Sequence, residues 1–195
     1  MIFSEEEINK NFQKALSFLK MTEDANLIKL FEDYKERYAV CPASTADEYY
    51  NSFPGGLCAH AIKTLSVLNH LILLYPDTTI SKKQMIKVAF LMDFGKIGDE
   101  NEEYFILTEK KWQLEKGINY EINSKISYMR IPHRTLNFCN QYNINLEKNE
   151  MLALLLTDSF ADEANFSYKY REPLLAVLLR EANYLAQLKQ KGLKE

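Results

Sequence analysis

Apolar residues recur at helical spacing along most of the chain. The first such segment keeps its apolar positions on one helical face: Ile8, Phe12, Leu16 and Leu19. Ser4, with Glu7 three residues later, is typical of a capping box and predicts where this helix begins. A second helix is predicted through 27–34, with Thr22 as its N-cap.

Residues 41–56 break the helical pattern. Two prolines and a pair of glycines in this range predict an ordered loop with at most a short helical turn. A long helix is predicted to follow over about 57–75, where Pro76 ends it. Ser81, with Gln84 three residues later, predicts the start of the next helix.

The second half of the chain contains the only segment that favours strands. Apolar runs flank a charged stretch within 103–120, which indicates a small β-hairpin packed on helices. Three further helices are predicted at about 124–142, 146–159 and 172–189, the last with Pro173 in its first turn. The expected fold is therefore all-α, a bundle of about seven helices with a small β-hairpin insert.

Composition and charge narrow the class of protein. The chain has 195 residues, of which 47% are apolar and 26% charged, as in a soluble domain with a sizeable core. The formal net charge of −3 gives no overall basic field, so nucleic acid is not favoured as a partner. A local basic patch stays open.

The chain start and the cysteines bear on the compartment. The first seven residues lack the basic and apolar regions of a signal peptide, and no apolar run approaches the roughly 20 residues that span a bilayer. Cys41, Cys58 and Cys139 form no C-x-x-C pair, which favours free thiols. We therefore expect a cytoplasmic protein with no membrane partner.

Candidate chemistry begins with the histidines and one aspartate. The chain has three histidines. His70, among leucines, is interpreted as packed or solvated, whereas His60 follows a loop-to-helix junction that can expose a side chain to a cleft. Asp93 ends an apolar helix, where a carboxylate opposes the helix dipole and needs a cation, a metal or solvent. The alternative is a plain helix stop at Gly95, with Lys96 favoured by the dipole.

Four blocks carry a family resemblance: 41–45, 50–60, 91–98 and 172–179. In order and spacing the chain over about 41–186 resembles the HD superfamily of metal-dependent phosphohydrolases, closest to small phage and bacterial HD proteins. The Pro-Gly-Gly-Leu-x-x-His block that ends at His60 is its most specific part. The resemblance implies one HD-like domain over 1–195, with N-terminal helices in 1–40 and a core in 41–190. It also implies a bacterial or phage-infected host cell.

The resemblance implies a set of metal ligands: His60, Asp93, His133 and Asp158. The histidine of the name-giving His-Asp doublet falls on Met92, and the closing aspartate falls on Asn183. A thioether is a poor ligand for Mg or Mn, and an amide lacks the negative charge of a carboxylate. The remaining set could hold one divalent ion (Mn, Mg or Fe) weakly, or none.

Several side chains are expected to line the cleft that the family uses. The candidates for ligand binding are Lys63, Arg134, Arg180 and Asn183, and any catalysis would rest on Asp93 and Lys96. The alternative for each cation is a solvated surface charge. Tyr49, Tyr50 and Trp112 are interpreted as core aromatics, with base stacking as the alternative.

Three functions follow from these observations. The first is a degraded HD-like protein that binds a nucleotide or another phosphate ligand with little or no hydrolysis. The second is an active metal-dependent phosphohydrolase or phosphodiesterase with a rearranged metal site. The third is a structural or interaction protein that reuses the scaffold, with a homo-oligomer left open.

Overall fold

The computed structural model describes residues 3–157 and 163–190, and these residues are mainly helical. They form nine α-helices: α1 (Glu5–Lys20), α2 (Ala25–Asp33), α3 (Lys35–Val40), α4 (Gly56–Leu71), α5 (Lys82–Leu91), α6 (Lys111–Glu115), α7 (Ile131–Gln141), α8 (Lys148–Leu155) and α9 (Leu174–Gln190). Short 3₁₀ turns lie at Ile72–Leu74, Phe94–Ile97 and Glu163–Tyr168. The mainly helical character is confirmed, with nine helices where about seven were expected.

The first two helices begin at capping residues. Ser4 and Glu7 form the expected capping box at α1. Helix α2 is present as predicted, but its predicted N-cap is wrong, because Asp24 is the N-cap and accepts a hydrogen bond from the backbone N–H of Leu27. Thr22 instead donates to the carbonyl of Leu19 and accepts from the N–H of Asp24. Thr22 therefore closes the turn after α1.

Helix α4 lies at the centre of the fold, in contact with α1, α3, α5 and α9. Leu57, Leu65 and Leu68 on α4 are fully buried, and each contributes about 1.5–3 kcal/mol of hydrophobic stabilisation. Buried residues from α1 to α9 belong to one continuous cluster. The N-terminal helices therefore share a core with the rest of the chain.

One helical stretch contradicts the expectation that no apolar run is long enough to span a membrane. The stretch Gly56–Leu74 has 19 residues and a mean hydropathy of 1.5, which is long and apolar enough to cross a membrane by length and composition alone. In the fold this stretch is α4 with its 3₁₀ extension; Leu57, Leu65 and Leu68 are buried in the core, whereas Leu73 and Leu74 in the extension are exposed.

The segment after α5 approaches α7 closely at Gly95. A Cβ at this position would lie 2.4 Å from the carbonyl oxygen of Ile131, so a side chain does not fit. The N–H of Gly95 donates to the hydroxyl of Thr135 at 2.9 Å, and its carbonyl accepts from Arg134 at 3.1 Å. Gly95 therefore allows close packing against α7, beyond the plain helix stop that was the alternative interpretation.

The expected hairpin is present as two short strands, β1 (Phe105–Leu107) and β2 (Tyr120–Ile122), which pair antiparallel. The residues between the strands include the short helix α6, where an apolar strand-like run was expected. The N–H of Tyr120 donates to the carbonyl of Thr45 at 3.1 Å, and Ala46 forms a bridge with Ile118. These contacts join the hairpin to the loop before α4.

Two other expectations concern helix bounds and thiols. Helix α7 begins at Ile131, about seven residues later than predicted, because the preceding residues form turns and an extended segment. Cys41, Cys58 and Cys139 are free and buried, as expected. Burial raises the pKa of the Cys58 and Cys139 thiols to about 12.

Candidate functional site

Asp93 and Lys96 form an ion pair one turn apart, directly after α5. The ammonium of Lys96 donates to the Asp93 carboxylate at 3.0 Å, to the hydroxyl of Tyr50 at 2.9 Å and to the carbonyl of Ala43 at 3.0 Å. Both charged side chains are 14% exposed. Burial lowers the pKa of Lys96, but the charge of Asp93 and the contact with Tyr50 outweigh it and hold the pKa above its usual range. Asp93 thus has the cationic partner that its position required.

His60 is fully buried on α4, which corrects the expectation that the loop-to-helix junction exposes it. Its Nε2 lies 2.7 Å from the side-chain oxygen of Asn183 on α9. The same oxygen accepts a hydrogen bond from the side-chain amide of Gln187 at 3.1 Å, and since an amide oxygen only accepts, it also accepts from Nε2. Thr64, one turn further along α4, lies 3.5 Å from Nε2. The imidazole is therefore held between two helices.

Tyr50 connects the two parts of the site. Its ring lies against the His60 imidazole, with ring centroids 4.5 Å apart, while its hydroxyl accepts from Lys96. The structure thus brings His60, Asp93, Lys96 and Asn183 into one cluster. Tyr50 was interpreted as a core aromatic, with base stacking as the alternative, and its contacts with His60 and Lys96 were not predicted although it lies within the family-like block.

The described residues do not fit the metal centre that the resemblance implies. His133 is exposed on α7, and Asp158 lies outside the described residues. Within 3–157 and 163–190 there is no group of three or more His, Cys, Asp or Glu side chains that could hold a metal ion. Asp93 contacts an ammonium and the Nε2 of His60 contacts an amide. The binding of a divalent ion by this chain therefore stays a prediction.

The other predicted cations are placed as follows. Arg134 is buried, and burial lowers the pKa of its guanidinium. The guanidinium donates to the carbonyls of Gly95 and Ser127 at 3.1 Å and lies over the Tyr104 ring. Arg180 forms ion pairs with Glu172 and Glu181 at 3.2 Å. Arg134 and Arg180 therefore bind groups of this chain.

Four further residues that the sequence analysis singled out lie at the surface or near it. Lys63 is half-buried on α4 and forms no hydrogen bond or ion pair with the residues that the structure describes. Tyr49 and Trp112 are exposed, so the interpretation of these two aromatics as core residues is wrong. His70 is exposed, and its Nδ1 lies 2.6 Å from the carbonyl of Ser66, in line with its interpretation as a solvated residue.

A cleft of about 350 Å³ adjoins Lys96, between the end of α3, the loop before α4 and the hairpin. Most of its wall is apolar, and three aromatic residues contribute to it: Tyr104, Phe105 and Tyr120. Its charged residues are Arg37, Lys96 and Glu103. No pattern in the sequence indicated this cleft, because residues that are far apart along the chain form its walls.

No protein-family model, curated protein or solved structure matches this chain.

Proposed function

We propose that this chain is a non-hydrolysing protein on an HD-like helical scaffold, which binds a small phosphate-containing ligand such as a nucleotide. The observation that carries the proposal is the ammonium of Lys96, which contacts three oxygen atoms at 2.9–3.0 Å. Asp93, the acid that the resemblance assigns to a metal, is one of these partners. A fixed positive charge thus already neutralises that acid.

The contact between His60 and Asn183 supports the scaffold part of the proposal. The resemblance assigns both positions to one metal site, and their side chains lie 2.7 Å apart although 123 positions separate them in sequence. An amide at the second position has no net charge to attract a divalent ion. Two-metal phosphoryl chemistry needs adjacent cations that activate water and neutralise the leaving oxygens. The side chains of this cluster favour binding over hydrolysis.

The cleft beside Lys96 supports the ligand part of the proposal. Ligand sites are usually concave and mostly apolar, with a few polar groups that fix orientation. Tyr104, Phe105 and Tyr120 offer a surface against which a flat base can pack. Arg37 lines the same cleft and offers the planar donors that suit a phosphate. A nucleotide would place its base on the rings and its phosphate at Arg37.

Calorimetric titration of the full chain with nucleoside phosphates, cyclic dinucleotides and ppGpp tests the proposal. We expect at least one of these to bind, with Arg37→Gln weakening it by about tenfold because a charge-assisted contact is lost. The exposed Lys10→Gln variant removes the same charge away from the cleft and should bind as the wild type does. Binding by none of the ligands would contradict the proposal, as would turnover of any of them with added Mn²⁺.

A further inference from the structure

The outer edge of β1 carries backbone groups that point away from β2. The N–H of Thr108 donates to Asn119 at 3.0 Å, and the N–H of Asn123 donates to Tyr104 at 2.9 Å. Hydrogen-bonded and non-hydrogen-bonded pairs alternate along an antiparallel ladder, so Ile106 and Glu121 form the hydrogen-bonded pair between them. The N–H and C=O groups of the two neighbouring residues, Phe105 and Leu107, therefore face outward.

The two edges of the hairpin differ. The edge of β2 is covered by the loop before α4, through the hydrogen bond from Tyr120 to Thr45. On the edge of β1, no group in residues 3–157 or 163–190 forms a hydrogen bond with the backbone of Phe105 or Leu107. Open strand edges pair readily with another extended chain. The hairpin thus has one edge available for a third strand.

This open edge borders the cleft described above. Five consecutive residues, 103–107, line the cleft. Side chains of successive residues point to opposite faces of a strand, so one face alone would contribute only every second residue. The consecutive run therefore indicates that the backbone edge of β1 faces the cleft. The opposite wall includes Val40, Pro42 and Pro54, and proline has no N–H to compete for the edge. Val40 and Leu107 are 49% and 71% exposed, so the apolar wall continues to the surface.

We propose that β1 accepts an extended peptide segment of a partner protein as a third strand. The segment hydrogen bonds to the backbone of Phe105 and Leu107 and places one apolar side chain in the cleft. An acidic residue of the segment faces Arg37, whose guanidinium donates to the carbonyl of Asp99 at 2.5 Å and forms no ion pair within the described part of the chain. Asp93 already neutralises Lys96, so Arg37 is the cation of the cleft that can face an acidic residue, while Glu103 lines the cleft beside β1.

A second copy of this chain fits the edge less well. The symmetric register that pairs Phe105 of one copy with Leu107 of the other uses all four outward groups, but it sets Glu103 opposite Glu109. Like charges directly opposite each other destabilise a strand pair.

The peptide proposal does not depend on a nucleotide. A base and an apolar side chain would exclude each other from the same cleft.

Selection of random peptides displayed on phage against the full chain tests this proposal, with two variants as comparison. Leu107→Pro removes one edge donor and keeps the hydrogen bonds of the hairpin, whereas Leu107→Ala keeps the donor. We expect selected peptides with alternating apolar residues and an acid, which bind Leu107→Pro about tenfold more weakly than Leu107→Ala. Thermal unfolding of both variants checks that they fold.

A second measurement is independent of the protein variants. N-methylation of the peptide amide that faces β1 should abolish binding, whereas N-methylation of the next amide should leave it within about threefold. Failure to select any peptide would overturn the proposal, and so would peptides that are insensitive to both Leu107→Pro and N-methylation. A dimer of the full chain that dissociates in Leu107→Pro would also overturn it, because the edge would then belong to a second copy.

Discussion

His60 and Asn183 lie 123 positions apart in the chain, and their side chains meet at 2.7 Å between α4 and α9. The amide oxygen of Asn183 accepts the hydrogen bond at this contact, and it also accepts from the side-chain amide of Gln187. The contact fixes the orientation of a buried imidazole and joins the two helices. A carboxylate at position 183 would add a negative charge here, and the amide does not.

Replacing Asn183 by leucine should destabilise the fold. The variant removes the side-chain oxygen that contacts Nε2 of the buried His60, which costs about 1–3 kcal/mol. Urea unfolding of the wild type and the variant measures this loss. Gln187→Leu removes one partner of the same oxygen and leaves the His60 contact in place, so it should cost less. An equal loss in both variants would contradict the role given to His60.

The ion pair between Asp93 and Lys96 should be worth more to the fold than a surface pair. Lys96→Met leaves the Asp93 carboxylate in a largely buried position without its cation, which costs about 3 kcal/mol. The double variant Asp93→Asn/Lys96→Met removes both charges and should recover part of that loss. A double-mutant cycle from urea unfolding gives the coupling. Coupling near zero would show that the two charges act independently.

Gly95→Ala should also destabilise, for a steric reason. The new methyl group would meet the carbonyl oxygen of Ile131 at 2.4 Å, and a backbone atom cannot move aside as a flexible side chain can. We expect a loss of about 1–3 kcal/mol, as for other overpacked sites. Gly117→Ala is not a suitable control because its φ is +71°. Ser17→Ala, on the exposed face of α1, is a suitable control, and the melting temperature of this variant should hardly change.

The buried carboxyl of Glu150 predicts a dependence of stability on pH. Burial raises the pKa of Glu150 above its ordinary value of 4.5, against the backbone hydrogen bond from Glu147 and the nearby ammonium of Lys87. A raised pKa in the folded state means that this group stabilises the fold below pH 4.5, and that this contribution is lost as pH rises through the folded pKa. Glu150→Gln keeps an oxygen for the cap and cannot titrate.

The free energy of unfolding of Glu150→Gln, relative to the wild type, should therefore rise between about pH 4 and pH 7. Urea unfolding at several pH values in that range measures it. Glu6→Gln, at an exposed position in α1, serves as the control and should show no such rise. A relative stability of Glu150→Gln that falls with pH would contradict the direction of the pKa shift.

Local sequence signals predicted much of the fold. The capping boxes at Ser4 and Ser81 are present, because they depend on residues three positions apart. The short helix α3 was not predicted. The helix breaks between α2 and α3 at Tyr34, whose φ is −101° and whose ψ is 18°, and neither Gly nor Pro marks this break in the sequence. The start of α7 was placed too early because polar residues before Ile131 tolerate either conformation.

The candidate site was predicted in part. Asp93 and Lys96 are three residues apart, so their pairing follows from local geometry. The contact of His60 with Asn183 depends on the packing of α4 against α9, and only the family resemblance connected these positions. The open edge of β1 could not be predicted, because which backbone groups of Phe105 and Leu107 face outward depends on the hydrogen-bond register of the hairpin.

We propose that the ammonium of Lys96 takes the place of a metal ion beside Asp93. Titration of Mn²⁺ into the full chain, with free Mn²⁺ followed by electron paramagnetic resonance, tests it most directly. We expect the free-ion signal to rise in proportion to the added metal, with no site tighter than about 1 mM. Stoichiometric binding of Mn²⁺ at micromolar concentration that is lost in Asp93→Asn would contradict it.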